Sequence, residues 1–183
     1  MKDQSDDFLV IESRNGDSAA FKRLVERYES KVAGVVNSML GKTTEALDVG
    51  QEVFIRFYEA LDKFKGESTV GTYLIRIAIN LSLNEIKRRK RRRFFFMPIE
   101  DGGKVKVDDE GFDLKEMIYY EISRLDSDFQ SVVTLRMIEG YSTEETGEIL
   151  GIPLGTVLSR LSRAQKKLKM ALAKHDKHDH TRN

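Results

Sequence analysis

The chain has 183 residues, of which 40% are hydrophobic and 33% are charged, which suits one helical domain or two small ones. It contains no cysteine, which excludes disulfide and thiolate chemistry. The N-terminal stretch lacks the basic start and apolar core of a signal peptide, and no window reaches the roughly 20 apolar residues of a membrane span. We therefore expect a cytoplasmic protein without membrane insertion.

The net charge is only +1, but the positive charge is clustered. One cluster is the unbroken basic run 87–93. The other spans 160–174, within a stretch that has no acid between Gly151 and His175. Two basic clusters on a nearly neutral chain suggest two contacts with a polyanion.

In chain order, the first part of the sequence predicts three helices separated by clear stop and cap signals. The first ends at Arg14, before an Asn-Gly pair. The second is capped by Asp17 and ends at Gly41, and the third begins at Thr43 or Thr44 and runs to about residue 63.

The third helix has two distinct faces. A buried stripe is predicted for Leu47, Phe54, Phe57, Leu61 and Phe64. A second face, at i, i+3, i+4 and i+7, carries Asp48, Gln51, Glu52 and Ile55. The pattern alone favours an ordinary solvated face here over a binding surface for a partner, and both interpretations stay open.

A polar elbow at 66–69 leads into a fourth helix, capped by Ser68 or Thr69. One row of this helix carries Arg76, Asn80, Asn84 and Lys87, and the basic run follows. Arginine and asparagine can contact phosphates and base edges together, so we predict nucleic-acid contact. A solvated helix end and a localisation signal are the plainer alternatives.

A glycine-rich, acidic stretch at 98–112 shows no stable periodicity and predicts a flexible linker between two domains. The first domain then covers 1–97 and the second 113–174. Residues 175–183 form a polar tail that we expect to be disordered. Its histidines could bind a metal, but nothing holds them in place, so we predict no metal site, no cofactor and no enzymatic activity.

The second domain contains a helix-turn-helix pattern. Ser142 and Glu145 form a capping box, and Gly147 lies four residues before the turn glycine, with Val157 six after it. A long basic helix follows, from about residue 154 to 173. We predict that its N-terminal half enters a major groove, and the alternative is a plain helical hairpin.

At this point the residues resemble a known family. The first domain resembles region 2 of bacterial sigma factors over the stretches DVGQEVFIRFYEALDKFKGE and TYLIRIAINLSLNEIKRRKR. The second domain resembles their region 4 over LRMIEGYSTEETGEILGIPLGTVLSRLSRAQKKL. With only a linker between these regions, the chain is similar to the extracytoplasmic-function (ECF) group. The resemblance implies an all-α fold of two small helical domains.

The resemblance further implies a factor that binds core RNA polymerase at the β′ clamp helices and the β flap, recognises promoter −10 and −35 elements, and melts the DNA. An anti-sigma factor is a further expected partner. The polymerase would be held by Asp48, Gln51, Glu52 and Ile55. The −10 element, with a flipped base at the elbow, would be contacted by Lys63, Lys65, Gly66, Ser68, Thr69, Tyr73, Arg76, Asn80, Asn84, Lys87 and Arg88. The −35 element would be read by Thr156, Ser159, Arg160, Ser162, Arg163 and Lys166.

The chain departs from the family pattern at several of these places. Ile79 stands where an arginine is common, which removes one DNA contact, and Thr146 replaces an aliphatic residue. Leu158 replaces a usual Arg or Lys, and Ser162 and Gln165 are less basic or bulky than usual. We therefore expect weak −35 reading. Two alternatives remain: a helix-turn-helix regulator that acts without polymerase, and a sigma-like decoy that sequesters an inhibitor.

Overall fold

The computed structural model describes residues 4–96 and 114–179, with side chains for 4–92 and 117–173. Within these ranges the chain is helical and has no strand, so the predicted all-α fold is confirmed. Among the helices of these two ranges, none combines the length and apolar character needed to cross a membrane. The predicted linker, 98–112, lies outside the described residues.

The first domain consists of α1 (Asp6–Arg14), α2 (Ser18–Leu40), α3 (Thr44–Ala60), a 3₁₀ turn (Leu61–Lys63) and α4 (Val70–Phe96). Short polar side chains begin the helices, as predicted: Asp17 Oδ1 accepts from the Ala19 amide at 2.8 Å, and Thr43 Oγ1 accepts from the Ala46 amide at 3.2 Å. Gly41, with φ of +75°, ends α2.

The core of the first domain lies between α2, α3 and α4. The predicted stripe on α3 is wrong at Leu47, which is 67% exposed. Ala46 takes the buried position instead, together with Val53 and Phe57. The helical repeat of 3.6 residues aligns 46, 53 and 57 on one face and rotates Leu47 towards Asp48.

The second domain consists of α5 (Leu114–Ser123), α6 (Ser127–Val133), a π-helical turn (Thr134–Ile138), α7 (Thr143–Leu150) and α8 (Leu154–Asp179). Helix α8 continues to Asp179, past the predicted start of the tail at residue 175, and residues 180–183 lie outside the described residues. The reason is that no proline or glycine interrupts α8 beyond residue 155, so nothing in the sequence stops it.

The helix-turn-helix is formed as predicted. The Ser142 amide donates to Glu145 Oε2 at 2.6 Å, and the Glu145 amide donates to Ser142 Oγ at 3.0 Å. A Cβ at Gly147 would lie 3.0 Å from the Ile152 carbonyl oxygen and 3.8 Å from Val157. A side chain here would have to displace the turn carbonyl by a few tenths of an ångström, so glycine suits this close approach.

The two domains pack directly against each other. Leu135 and Ile149 of the second domain belong to the same buried cluster as the core of the first. Across this contact Ser38 Oγ donates to Glu139 Oε1 at 2.7 Å, and the side-chain amide of Gln130 donates to the Met39 carbonyl at 3.1 Å. The sequence predicted two domains but not this contact.

Candidate nucleic-acid and partner interface

The acid–amide face (Asp48, Gln51, Glu52 and Ile55) lies on the outer side of α3. Asp48, Gln51 and Ile55 are exposed, and Glu52 Oε1 accepts from Arg56 Nε at 2.8 Å. Leu47, which the sequence placed in the core, is exposed beside this face. Leu47 and Ile55 thus add exposed apolar side chains to a face that otherwise carries acids and an amide.

The elbow between α3 and α4 forms a cleft of about 240 Å³, which we call the elbow cleft. Five of the predicted −10 residues meet there: Lys63, Lys65, Ser68, Tyr73 and Arg76. Lysines at its rim suit a nucleic-acid backbone, and an aromatic ring in its wall suits a base.

An aromatic cluster underlies this cleft. The ring centroids of Phe64 and Tyr73 are 5.1 Å apart, at an interplanar angle of 69°. Phe57, which is fully buried, lies 5.8 Å from each of them. Edge-to-face packing of this kind holds rings in fixed orientations, so Tyr73 is a rigid wall of the cleft.

Arg14 holds the start of the elbow, a role that sequence reasoning missed. Its Nε donates to the Leu61 carbonyl at 2.7 Å, and its Nη2 donates to the Phe64 carbonyl. At the other end, Thr69 Oγ1 accepts from the Thr72 amide at 3.1 Å. The partners of Arg14 lie 47 and 50 positions away, so no local pattern reveals the contact.

The residues of the predicted row on α4 lie in two environments: three are exposed to solvent, and one contacts the second domain. Asn80, Asn84 and Lys87 are exposed. Arg76 instead donates from Nη2 to the Glu148 carbonyl at 2.8 Å and from Nε to the Ile149 carbonyl at 3.2 Å. Carbonyls at a helix C-terminus lack partners within the helix and carry partial negative charge, so they attract a guanidinium.

A cleft of about 330 Å³ separates the two predicted DNA-binding faces, and we call it the interdomain cleft. Arg76 and Asn80 line it from α4, and Arg160 lines it from α8. Ile79 also borders it and is 2% exposed. The aliphatic residue at this position therefore helps to bury the domain contact, which an arginine would not do.

Part of the basic run supports the fold. Glu85 is 7% exposed and accepts from Arg88 Nε at 2.6 Å and from Arg89 Nε at 3.2 Å. Arg89 also donates to the Leu40 carbonyl and to Thr43. Burial by itself would raise the pKa of Glu85, but the two arginines outweigh it and hold that pKa below its usual value.

The predicted −35 residues lie along α8. Ser159, Ser162, Arg163 and Lys166 are exposed, whereas Thr156 is half-buried. Arg160 is also half-buried, and its Nη2 lies 2.6 Å from Asp128 Oδ2. The cationic side chain nearest the N-terminal end of α8 is therefore already paired within the second domain.

Comparison with known proteins identifies the family. The model of sigma-70 region 2 matches residues 24–92, and the model of sigma-70 region 4 matches residues 115–168. The chain is 34% identical to the RNA polymerase sigma-H factor of Pseudomonas aeruginosa over 92% of its length and 94% of that protein. It is 36% identical to the ECF RNA polymerase sigma-E factor of Escherichia coli K12 over 88% of its length and 91% of that protein.

Solved structures share the fold. CnrH in complex with the cytosolic domain of CnrY matches 93% of this chain and 99% of its own, with a TM-score of 0.69 and 24% identity. RpoE of Bartonella quintana in complex with the anti-sigma factor NepR matches 84% of this chain and 96% of its own, with a TM-score of 0.64 and 23% identity. The chain therefore belongs to the sigma-70 family, in the ECF group of sigma factors that bind core RNA polymerase and direct transcription initiation at promoters.

Proposed function

We propose that the acid–amide face of this sigma factor holds the β′ clamp helices of core RNA polymerase and that the second domain meets the β flap. The exposure of Asp48, Gln51 and Ile55, together with the exposed Leu47, supports this assignment. The protein acts in the cytoplasm and contributes binding and DNA distortion, while the chemistry of RNA synthesis stays with the polymerase.

The elbow cleft takes one base of the −10 element out of the duplex. Flipping a base costs a few kcal/mol of unstacking, and stacking on an aromatic ring returns about 1–3 kcal/mol per base. Tyr73 supplies the ring, and Lys63 and Lys65 meet the backbone of the strand. The gathering of these three residues around one cleft is the observation that carries the proposal.

Arg76, Asn80, Asn84, Lys87 and Arg88 follow the opened strands along α4. The side of α8 that carries Thr156, Ser159 and Ser162 reads the −35 element, and Arg163 and Lys166 meet its phosphates. Arg160 pairs with Asp128, so it orients α8 rather than contacting bases.

The structure is a closed form, by which we mean that the two domains are in direct contact. The Arg76 guanidinium is bound to α7, so it is not free for a DNA strand while the domains are in contact. We propose that binding to polymerase separates the domains. An anti-sigma factor is a further proposed partner, since RpoE of Bartonella quintana was solved in complex with the anti-sigma factor NepR.

Two variants test these assignments separately. Glu52→Lys reverses the charge of a surface residue on α3, and we expect it to abolish co-purification with core polymerase while the helical content is retained. Asn80→Ala should impair opening of duplex promoters but leave binding to core unchanged. Survival of core binding in Glu52→Lys would reject the clamp assignment. Wild-type activity of Asn80→Ala on both duplex and pre-melted promoters would reject the role of Asn80.

A further inference from the structure

The outward face of α8 near its N-terminus is apolar rather than cationic. Leu154 and Leu158, one turn apart, are 45% and 50% exposed. Val157 is fully buried against Gly147 of α7, which fixes the rotation of α8 and turns Leu158 outward. Arg160, the one cation between Leu154 and Ser162, is paired with Asp128.

The exposed face continues along the helix from Leu158 through Ser159 and Ser162 to Lys166. In this order an aliphatic side chain comes first, two hydroxyls follow, and cations come last. Cations at Arg163 and Lys166 suit phosphates, which carry no sequence information. The groups left to contact base edges are therefore the leucine and the hydroxyls.

The major groove offers a leucine one favourable partner. Guanine, adenine and cytosine present hydrogen-bond donors and acceptors there, and thymine adds a C5 methyl group. A leucine makes no hydrogen bond, so it would leave the polar edge of guanine or cytosine desolvated and unpaired. An arginine at the same place would instead bind guanine O6 and N7.

We propose that Leu158 recognises the C5 methyl group of a thymine in the −35 element, and that this contact selects A·T at one base pair. The inference rests on the proposed reading of that element by α8. Affinity from α8 would then be low because a charged contact is missing, while one position would discriminate modestly for the methyl group.

The experiment uses holoenzyme assembled from the full chain and core polymerase. Duplexes randomised over the −35 region are selected for binding, and the thymines of the selected −35 segment are then replaced one at a time by deoxyuridine. Deoxyuridine pairs like thymine but lacks the methyl group. We expect one position at which the replacement weakens binding about three- to fivefold, the effect of one buried methyl.

Leu158→Ala should abolish that discrimination, so that thymine and deoxyuridine bind equally well. The matched control is Met170→Ala, which removes another exposed apolar side chain of α8, 59% exposed and three turns further on, and should keep the discrimination. Leu158→Arg should change the selected base from thymine towards guanine. Because Leu158 is half exposed, none of these changes disturbs the core.

The possible results distinguish the role of α8 in reading the −35 element from the role of Leu158. Holoenzyme that selects no sequence at all in the −35 region would contradict the role of α8. Selection of a −35 sequence with no loss on deoxyuridine replacement at any position would overturn the assignment of Leu158 alone. Discrimination that persists in Leu158→Ala would also overturn it.

Discussion

Arg76 of the first domain donates from Nη2 to the backbone carbonyl of Glu148 in the second domain, at 2.8 Å. The same guanidinium belongs to the predicted −10 face and borders the elbow cleft. If Arg76 contacts the −10 element as we propose, the end of α7 and the promoter are exclusive partners of one side chain. That competition would couple the domain contact to DNA binding.

The domain contact can be weakened without altering the DNA-binding faces. A Cβ at Gly34 would lie 2.9 Å from Glu139 Oε2, so Gly34→Ala should displace the Glu139 carboxylate and break its bond to Ser38. We expect small-angle X-ray scattering to show a larger radius of gyration. Gly50→Ala is the control, because no atom in the described parts of the chain lies within 4 Å of the added methyl, and it should leave the radius of gyration unchanged. An unchanged radius of gyration in Gly34→Ala would show that the Ser38–Glu139 bond is not needed to keep the two domains in contact.

Arg14 should matter for promoter opening through the elbow. Arg14→Ala removes two donors from the carbonyls of Leu61 and Phe64, which should lower the free energy of unfolding by about 1–3 kcal/mol. We expect slower opening of duplex promoters, near-normal activity on pre-melted ones and unchanged affinity for core. Arg14→Lys should rescue only in part, because lysine lacks the planar fork. Normal opening rates in Arg14→Ala would show that the elbow holds its shape without it.

Glu85 should give stability that depends on pH. Its pKa is lower in the folded protein than in the unfolded chain, so its contribution is complete above the unfolded pKa, near 4.3, and is lost as the pH falls through the folded pKa. Glu85→Gln should therefore lower the free energy of unfolding by about 1–2 kcal/mol at pH 7. In urea titrations the difference from wild type should shrink below pH 4. A difference that stays constant from pH 7 to pH 3 would mean that the ionised carboxylate is not responsible.

Thr146 offers a stabilising change. It is fully buried, and its hydroxyl has no hydrogen-bond partner among the described residues. Thr146→Val has the same shape without the unpaired group and should raise the free energy of unfolding by about 1 kcal/mol, seen as a higher Tm. Thr43→Val is a useful contrast, because Thr43 Oγ1 caps α3, and this change should lower the Tm. A lower Tm in Thr146→Val would imply a hydroxyl partner that the structure does not show.

Local patterns predicted the helices and their ends well. Asp17, Thr43 and the pair Ser142–Glu145 were recognised because a cap is a relation between residues two or three positions apart. The spacing of Gly147 and Val157 predicted the close approach of α7 and α8 for the same reason. The error at Leu47 arose because an amphipathic stripe can be rotated by one residue without losing its period.

Contacts between distant segments were not predictable. In the sequence, Arg14 is a basic residue in the last turn of a helix, and Arg89 is one of seven consecutive cations. Their partners come from other elements, namely the elbow carbonyls for Arg14 and the α2–α3 turn for Arg89. The contact of Arg76 with α7 was not predictable for the same reason. A row of Arg and Asn indicates an anionic partner, but it does not show that the C-terminus of another helix binds the arginine.

The most direct test of the central claim is run-off transcription with purified core polymerase on promoter fragments, with and without this protein. We expect discrete transcripts only when the protein is present, and we expect Tyr73→Ala to lose them on duplex templates but to regain them on templates pre-melted at the −10 element. Specific DNA binding by the protein alone, with no transcript in the presence of core, would contradict a sigma factor that works through the elbow cleft.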